Sequence, residues 1–372
     1  MAFPISVLRI MSDITKPYDA VIIGAGLTGS AAAIHLVSAG KSVCLIEKTK
    51  AAHHKVCGEF LSHEAVAYLD ALGLDVNTLG AVPITKMRLV KGAHIAQSSL
   101  PFQAYSVSRY VLDETLINLA IKAGVKVERG VTITDISNDN GWHVSGGHFT
   151  AHGKALFLAT GKHDVKGWQR PEGVKNDYIG LKMHYQMDDN TISNSTEVVM
   201  FHGGYAGLQP IENGRANLCL VIEKQRFKTL GSNWKSLVKM LMQDTPYLKT
   251  ILSNAKPLWD KPLAIYGIPY GFVHMPEQNT PQNLYRLGDQ MAVIPSFAGG
   301  GMAIALYTAK CAVDSYLNNT DYNPADLKYH IQKSTWLGRM MASNIGQTIL
   351  MMLARLYPKL LTKTAHYTRL KR

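Results

Sequence analysis

Ala20–Ile23 is an unbroken apolar run with β-branched content, the pattern of a short buried strand. A glycine-rich turn follows, then an alanine-rich stretch to about Ala39 that Gly40 stops, which predicts a helix. Val43–Ile46 predicts a second buried strand, ending in Glu47. Farther along, alternating positions over Gly180–Met187, Glu197–His202 and Ala216–Ile222 predict an inserted antiparallel sheet, flanked by a helix around Trp234–Leu241 and by Pro257–Gly271. Asn140-Gly141 and Gly146-Gly147 predict the hairpin turns of a small meander. Near the C-terminus Ile345, Ile349, Met352, Leu353, Leu356 and Leu360 recur at helical spacing, and Pro358 is expected to kink or end that helix.

The turn between the first strand and helix reads Gly24-x-Gly26-x-x-Gly29. Gly24 permits a tight turn, Gly26 lets a pyrophosphate approach the backbone, and Gly29 lets helix and strand pack closely. The helix N-terminus offers unpaired N–H groups to the phosphates. Glu47, with Lys48 beside it, stands where an acid accepts hydrogen bonds from an adenosine ribose. Strand, helix, second strand and acid agree, so the chain is expected to bind a dinucleotide. The motif alone does not separate NAD from FAD, and Glu47 disfavours a 2′-phosphate.

Composition narrows the class. The 372 residues are 47% apolar and 18% charged, as in a folded globular chain of two joined domains. Four widely spaced cysteines without a CxxC pair argue against a disulfide framework or zinc ribbon and for a reducing, cytoplasmic setting. His53, His54 and Cys57 lack a fourth ligand, so no metal is expected. The opening MAFPISVLRI has one basic residue, Arg9, and reads as an extension rather than a signal peptide. The net charge is +12, and from Leu327 onward there are nine bases and no acid. Sparse aromatic interleaving argues against nucleic acid. Two readings of this basic end stand: a helix packed on the body with its bases in water, which is favoured, and peripheral contact with an anionic membrane.

GAGxxGSAAAxxLxxxG, then an acid, then KxCGExLS, resembles the geranylgeranyl reductase family of FAD-dependent oxidoreductases, in the fold group of p-hydroxybenzoate hydroxylase. Ser108–Asp113 resembles its R-x-x-L-D helix start, Leu156–Gly161 its re-entering strand, and Arg286-Leu287-Gly288-Asp289 with IPSFAGGGMAIAL its second flavin motif. The resemblance implies FAD as cofactor and an α/β fold. A Rossmann-like FAD-binding domain would be assembled from 18–85, 103–170 and 280–320. An inserted antiparallel β substrate domain would take 86–102 and 171–279, with a basic helical segment over 321–372. It further implies that Arg109 lies against the FAD phosphates or ribityl chain, that Asp289 binds ribityl hydroxyls, and that Gly299, Gly300, Gly301 and Met302 open a helix toward the flavin ring.

The family's substrate wall reads Tyr-x-Trp-x-Phe-Pro. Here Tyr205 and Pro210 match, while Gly207 and Gln209 replace the aromatics, so a wider or more polar pocket is expected. The words GGYAG, GKHD and CGEFLS resemble the flavin monooxygenases associated with type III polyketide synthases. Thr160 stands where hydroxylases of the group carry Asp, and no second GxGxxG follows a strand. Electrons are therefore expected from transient NAD(P)H or from a donor protein. The function expected is hydroxylation of a lipophilic aromatic or polyketide-like molecule through a flavin C4a-hydroperoxide. The alternative is reduction of carbon–carbon double bonds in an isoprenoid or polyene lipid. Candidate catalytic residues are Glu59, as a proton carrier with a raised pKa, with Cys57, His163 and Tyr205. Cys57 is expected to be a pocket wall, since no second cysteine is near it in sequence, and Gly58 to permit close approach to the ring.

Overall fold

The buried run at Tyr18–Ile23 becomes β1, followed by α1 (Leu27–Ser38), β2 (Val43–Glu47), β3 (Phe60–Leu61) and α2 (His63–Ala71). A long hairpin, β4 (Val82–Lys91) and β5 (His94–Ser106), leads to α3 (Arg109–Lys122), β6 (Lys126–Arg129), β7 (Asp135–Asn138), β8 (Trp142–Gly146) and β9 (Phe149–Leu158). Then come β10 (Tyr178–Gln186), β11 (Ser195–Phe201), β12 (Gly204–Ile211) and β13 (Arg215–Glu223). Next are α4 (Lys224–Thr229), α5 (Trp234–Asp244), α6 (Pro246–Leu252), β14 (Lys256–Pro257), β15 (Leu263–Tyr266) and β16 (Leu284–Arg286). The chain ends in α7 (Gly301–Asn318), α8 (Ala325–Ala342), α9 (Asn344–Leu356) and α10 (Lys359–Tyr367). This computed structural model describes residues 16–170, 177–187, 192, 194–276, 279–323 and 325–370. The opening decapeptide, Lys371 and Arg372 lie outside the described residues.

The first sheet runs β6-β2-β1-β9-β8-β7, with β16 also on β9. β1 pairs in parallel with both β2 and β9, so Ile22 sits between Leu45 and Phe157. Period-two alternation then serves two buried faces. Ala20 and Ile22 join the core under α1 and α7, while Val21 and Ile23 meet Trp142 and Val144 of the meander. Asn140 and Gly141 adopt positive φ at the β7–β8 turn, as does Gly147 at the next, matching the hairpins read from sequence.

The second sheet, β14-β10-β13-β12-β11-β4-β5-β3 with β15 also on β10, is mixed rather than purely antiparallel. The exception is β11, which runs parallel to β4 because the hairpin arrives from the nucleotide domain rather than from its chain neighbours. The hairpin also begins earlier and ends later than 86–102, since β4 starts at Val82 and β5 closes at Ser106. Leu181, Met183 and Tyr185 turn to a core shared with Leu237, Leu241 and Leu248 of α5 and α6. The intervening Gly180, Lys182 and His184 therefore face the other way, toward the nucleotide domain.

Pro358 separates α9 from α10, as expected. Both helices pack on the β4–β5 hairpin with Arg355, Lys359 and Lys363 in water, as favoured, but through residues other than the stripe. Ile345, Ile349, Met352, Leu356 and Leu360 are exposed, and the side turned to the body carries Gln347, Met351, Ala354 and Leu361 instead. No described helix is long and apolar enough to cross a membrane.

The β1–α1 junction depends on one missing side chain. A Cβ on Gly29 would lie 1.9 Å from the Gly24 carbonyl oxygen. Gly29→Val is expected to lose on the order of 4 kcal/mol or to fail to fold. Gly58→Ala, whose new Cβ meets nothing within 4 Å, should change stability by less than about 0.5 kcal/mol. Chemical denaturation of the two variants checks both.

Candidate functional site

Gly24 takes φ +104° and leaves no room for a side chain, because a Cβ would lie 2.5 Å from the Ala159 carbonyl oxygen. Gly26 is the N-cap of α1, and no side chain caps that helix end. Two cations reach the same spot: a Cβ at Gly26 would lie 3.0 Å from Lys55 Nζ and 3.7 Å from Arg109 Nη2. Asp113 holds both, accepting from Arg109 at 2.6 and 2.8 Å and from Lys55 at 2.8 Å. Burial disfavours the Asp113 carboxylate, but the Arg109 and Lys55 charges outweigh it and bring its pKa down to about 2. Glu47 is buried at the end of β2 and accepts from Ala25 N, Thr49 N and Thr49 Oγ1. Burial opposes its charge, and the Thr49 and Ala25 hydrogen bonds with Lys55 nevertheless keep its pKa low. An uncapped helix end, a cradle of glycines, two cations and a terminal acid fit the adenosine and pyrophosphate portion of FAD. Lys48 is exposed beside this cleft.

The second half of the cradle comes from the other end of the chain. Asp289 is half-buried and paired with Lys162 Nζ at 2.9 Å. Burial works against the Lys162 charge, but Asp289 more than offsets it and raises the pKa. Gly299 takes φ +63°, and a side chain on Gly301 would point into open space at the start of α7. Met302 packs its side chain into the core, so only its backbone is available to a ligand. These positions fit a flat ring approaching a helix N-terminus.

Between the two loops lies the free face of the second sheet. Its register sets Gly180, Val221 and Tyr205 in one row, Lys182, Cys219 and Gly207 in the next, and His184, Asn217 and Gln209 in a third. The third row grips the Cys57–Glu59 loop: Asn217 Nδ2 donates to the Cys57 and Gly58 carbonyls, and Gln209 Nε2 to Gly58 O at 2.7 Å. Gln209 therefore pins a loop and does not make the pocket more polar. At Gly207 the wall is cut back, a Cβ there meeting only Cys219 O at 3.6 Å.

Glu59 corrects the expectation of a proton carrier. It is fully buried at φ +62°. Its Oε1 accepts from Lys182 Nζ at 2.5 Å and from the Arg109 backbone N–H at 2.8 Å, and its Oε2 lies 2.8 Å from His184 Nε2. Burial favours the neutral acid, yet Lys182 and His184 overcome it, and the pKa falls rather than rises. A left-handed glutamate costs about 1 kcal/mol or more, and persists because these contacts over-determine it. The backbone specialist of CGE is thus Glu59, not Gly58.

His54, Glu59 and His184 bring ligand atoms within 4.8 Å of one another, the geometry of a cation site. Lys182 already supplies the positive charge on that carboxylate, which leaves a metal ion no electrostatic advantage. Burial first, then the charges of His184 and Lys182, push His54 down to about 4, so its ring is neutral.

The remaining sequence candidates divide. Cys57 is half-buried, with its sulfur accepting from Glu59 N at 3.4 Å. On β13, Cys219 shares the row of Lys182 and Gly207 on the same sheet face, and burial chiefly raises its thiol to about 12. His163 is exposed in the loop after β9, where burial of its ring and the charges of Lys48, Lys162 and Arg170 lower its pKa. The structure groups it with that loop and not with the substrate sheet. Tyr205 lies on the free face of the second sheet, its hydroxyl 2.6 Å from Ser296 Oγ, which Tyr270 also meets at 2.9 Å. Residues the sequence reading missed are Lys182, His184, Ser296, Tyr270 and Arg369, whose guanidinium donates to the Ala298 and Gly299 carbonyls. Lys182 and His184 had a signal, polar residues at alternate positions of an otherwise apolar strand. Arg369 had none.

Three comparisons agree with this cradle. Residues 17–142 match the model of the FAD binding domain. The chain is 26% identical over 220 residues to a menaquinone reductase of Mycolicibacterium smegmatis, spanning 54% of either chain. It is 27% identical over 307 residues to a digeranylgeranylglycerophospholipid reductase of Methanothermobacter thermautotrophicus, covering 76% of this chain and 73% of that one. A flavin-dependent brominase shares the fold, with TM-score 0.74, 20% identity and coverage of 95% and 93%. The chain thus spans about half the length of the first relative and about three quarters of the second.

The Asp113 pair makes stability depend on pH. With its pKa near 2 in the folded chain and about 3.9 unfolded, Asp113 stabilises fully above pH 4. It should lose about 2 kcal/mol as pH falls through 2. Denaturation midpoints between pH 2 and 6 should fall more steeply toward acid for the native chain than for Asp113→Asn.

Proposed function

We propose that this FAD-binding chain is an oxidoreductase that reduces a carbon–carbon double bond in an isoprenoid or polyene lipid. The observation that carries this reading is the Tyr205–Ser296–Tyr270 chain of hydroxyls at the junction of the substrate sheet and the glycine-rich loop. Burial pushes Tyr205 up to about 12, with the Ser296 and Tyr270 hydrogen bonds offsetting it in part, and burial raises Tyr270 well above its ordinary value. Both phenols therefore hold their protons at neutral pH and serve as acids, not bases. The wall around Tyr205, made by Gly180, Val221, Gly207 and Cys219, offers no free charge and suits an apolar chain. Lys182 is near but committed to Glu59 and the Lys55 carbonyl.

FAD, bound and reduced, supplies the hydride. The Tyr205 hydroxyl then gives a proton to the neighbouring carbon, and Ser296 and Tyr270 form the path that refills it. Hydride and proton together saturate the bond, with no other bond broken. The reduction is supported by the relative named for a digeranylgeranyl lipid, aligned over about three quarters of either chain. A second reading, hydroxylation, is favoured by the wall cut back at Gly207, which leaves room for a flat ring. Electrons from NAD(P)H or a donor protein serve either reading.

Photoreduced, flavin-loaded protein is mixed with a polyprenyl lipid under nitrogen and then under oxygen. Reduction predicts a product heavier by a pair of hydrogens under nitrogen, and Tyr205→Phe should slow it by about 100-fold with flavin content unchanged. An oxygenated product formed only with oxygen would overturn the reading in favour of the hydroxylase.

A further inference from the structure

Helix α9 carries two apolar faces, and the body covers only one of them. Met351 and Ala354 turn inward to Leu89, Ala96 and Met200. Gln347 Nε2 donates to the Phe201 and Gly204 carbonyls at 3.0 and 3.2 Å. On the other side Ile345, Ile349, Met352 and Leu356 are 76, 41, 54 and 64% exposed, and Tyr357 and Leu360 extend the stripe into α10. These residues recur on successive turns, so the exposure is one continuous band rather than scattered single residues. An apolar band of that kind on a surface marks a contact.

The charge around the band says what it contacts. Arg355, Lys359 and Lys363 accompany it, and no Asp or Glu occurs from Leu327 to Leu370. The hairpin on which α9 and α10 rest, Val82–Ser106, also lacks acids. We infer that α9 and α10 dock on an anionic lipid surface. They lie in its plane, with the Ile345–Leu360 band at the acyl boundary and the bases among the headgroups. A second copy of this chain fits less well, because it would bring basic surface against basic surface. Neither helix is long and apolar enough to span, so the contact is peripheral.

The placement also matters. Met351 and Leu361 share a cluster with Tyr205 and Phe297, and beyond α10 Arg369 holds the Ala298–Gly299 loop while Leu370 N donates to Glu64. The lipid face is therefore built onto the same side as the candidate substrate wall. The inference stands whichever reaction the flavin performs.

The test is co-sedimentation of the full, flavin-loaded chain with vesicles of phosphatidylcholine mixed with phosphatidylglycerol, and of phosphatidylcholine alone. Binding to the mixed vesicles is expected, weakening as salt rises. The triple variant Ile349→Ser, Met352→Ser, Leu356→Ser should bind about tenfold more weakly or worse. Lys359→Glu with Lys363→Glu should lose its preference for the mixed vesicles. Ile121→Ser, another exposed apolar residue but on α3, should bind as the native chain does. Circular dichroism and flavin content confirm that each variant is folded. Absence of binding to mixed vesicles would overturn the inference. So would unchanged binding by the triple variant, or a dimer on gel filtration that the triple variant splits, which would assign the band to a second copy.

Discussion

A buried carboxylate joins the two halves of this molecule. Glu59 takes a hydrogen bond from the backbone at the start of α3, in the nucleotide domain, ion pairs with Lys182 and meets His184 Nε2 at 2.8 Å on the substrate sheet. Three charged or polar groups with essentially no access to water are tolerable only because each satisfies another. Removing Glu59 or Lys182 leaves the other's charge unpaired in the interior. The rest of the arrangement follows from that constraint. Once Glu59 is fixed, Asn217 and Gln209 hold the carbonyls of Cys57 and Gly58, and the loop is pinned against the free face of the second sheet.

The glycine-rich loop before α7 is positioned independently. Gly299 turns the chain, Arg369 returns from the C-terminus to hold the same loop, and Tyr205 reaches Ser296 across it. Between the two loops the sheet presents small and protic side chains. The polar groups of the site thus divide into two kinds. Charges are locked in pairs that set geometry, while hydroxyls with raised pKa values remain available for proton delivery. A lipid substrate arriving from a bilayer would meet this site on the side where α9 and α10 lie.

Much of the nucleotide half was legible in the sequence. Gly24, Gly26, Gly29 and Glu47 announce themselves because dinucleotide geometry demands glycine and an acid at fixed local spacing, and all four lie where that logic puts them. The glycine-rich turn at Gly299–Gly301 before α7 was readable through a family resemblance. The substrate half was not, because its meaning lies in cross-strand register. Lys182 becomes a partner of Glu59 only when β10 is laid beside β13 and against the CGE loop, at a separation of more than a hundred residues. Without that partner a pocket carboxylate reads as a proton carrier; with it, the same residue is an anion that stays ionised. The residues by which the C-terminal helices pack on the body were not legible for a related reason. Helical periodicity reports that a face is apolar, but which of two apolar faces the body covers depends on Met351 and Ala354 fitting the β4–β5 hairpin.

The ionisation of Glu59 tests this account most directly. Carboxyl carbon shifts of a chain labelled at glutamate, with the Glu59 signal identified by its loss in Glu59→Gln, can be followed from neutral to acid pH. The account predicts that this carbon keeps its ionised shift through the ordinary glutamate value of 4.5 and titrates only below it. A midpoint above 4.5, toward neutrality, would contradict it and return Glu59 to the role of proton carrier.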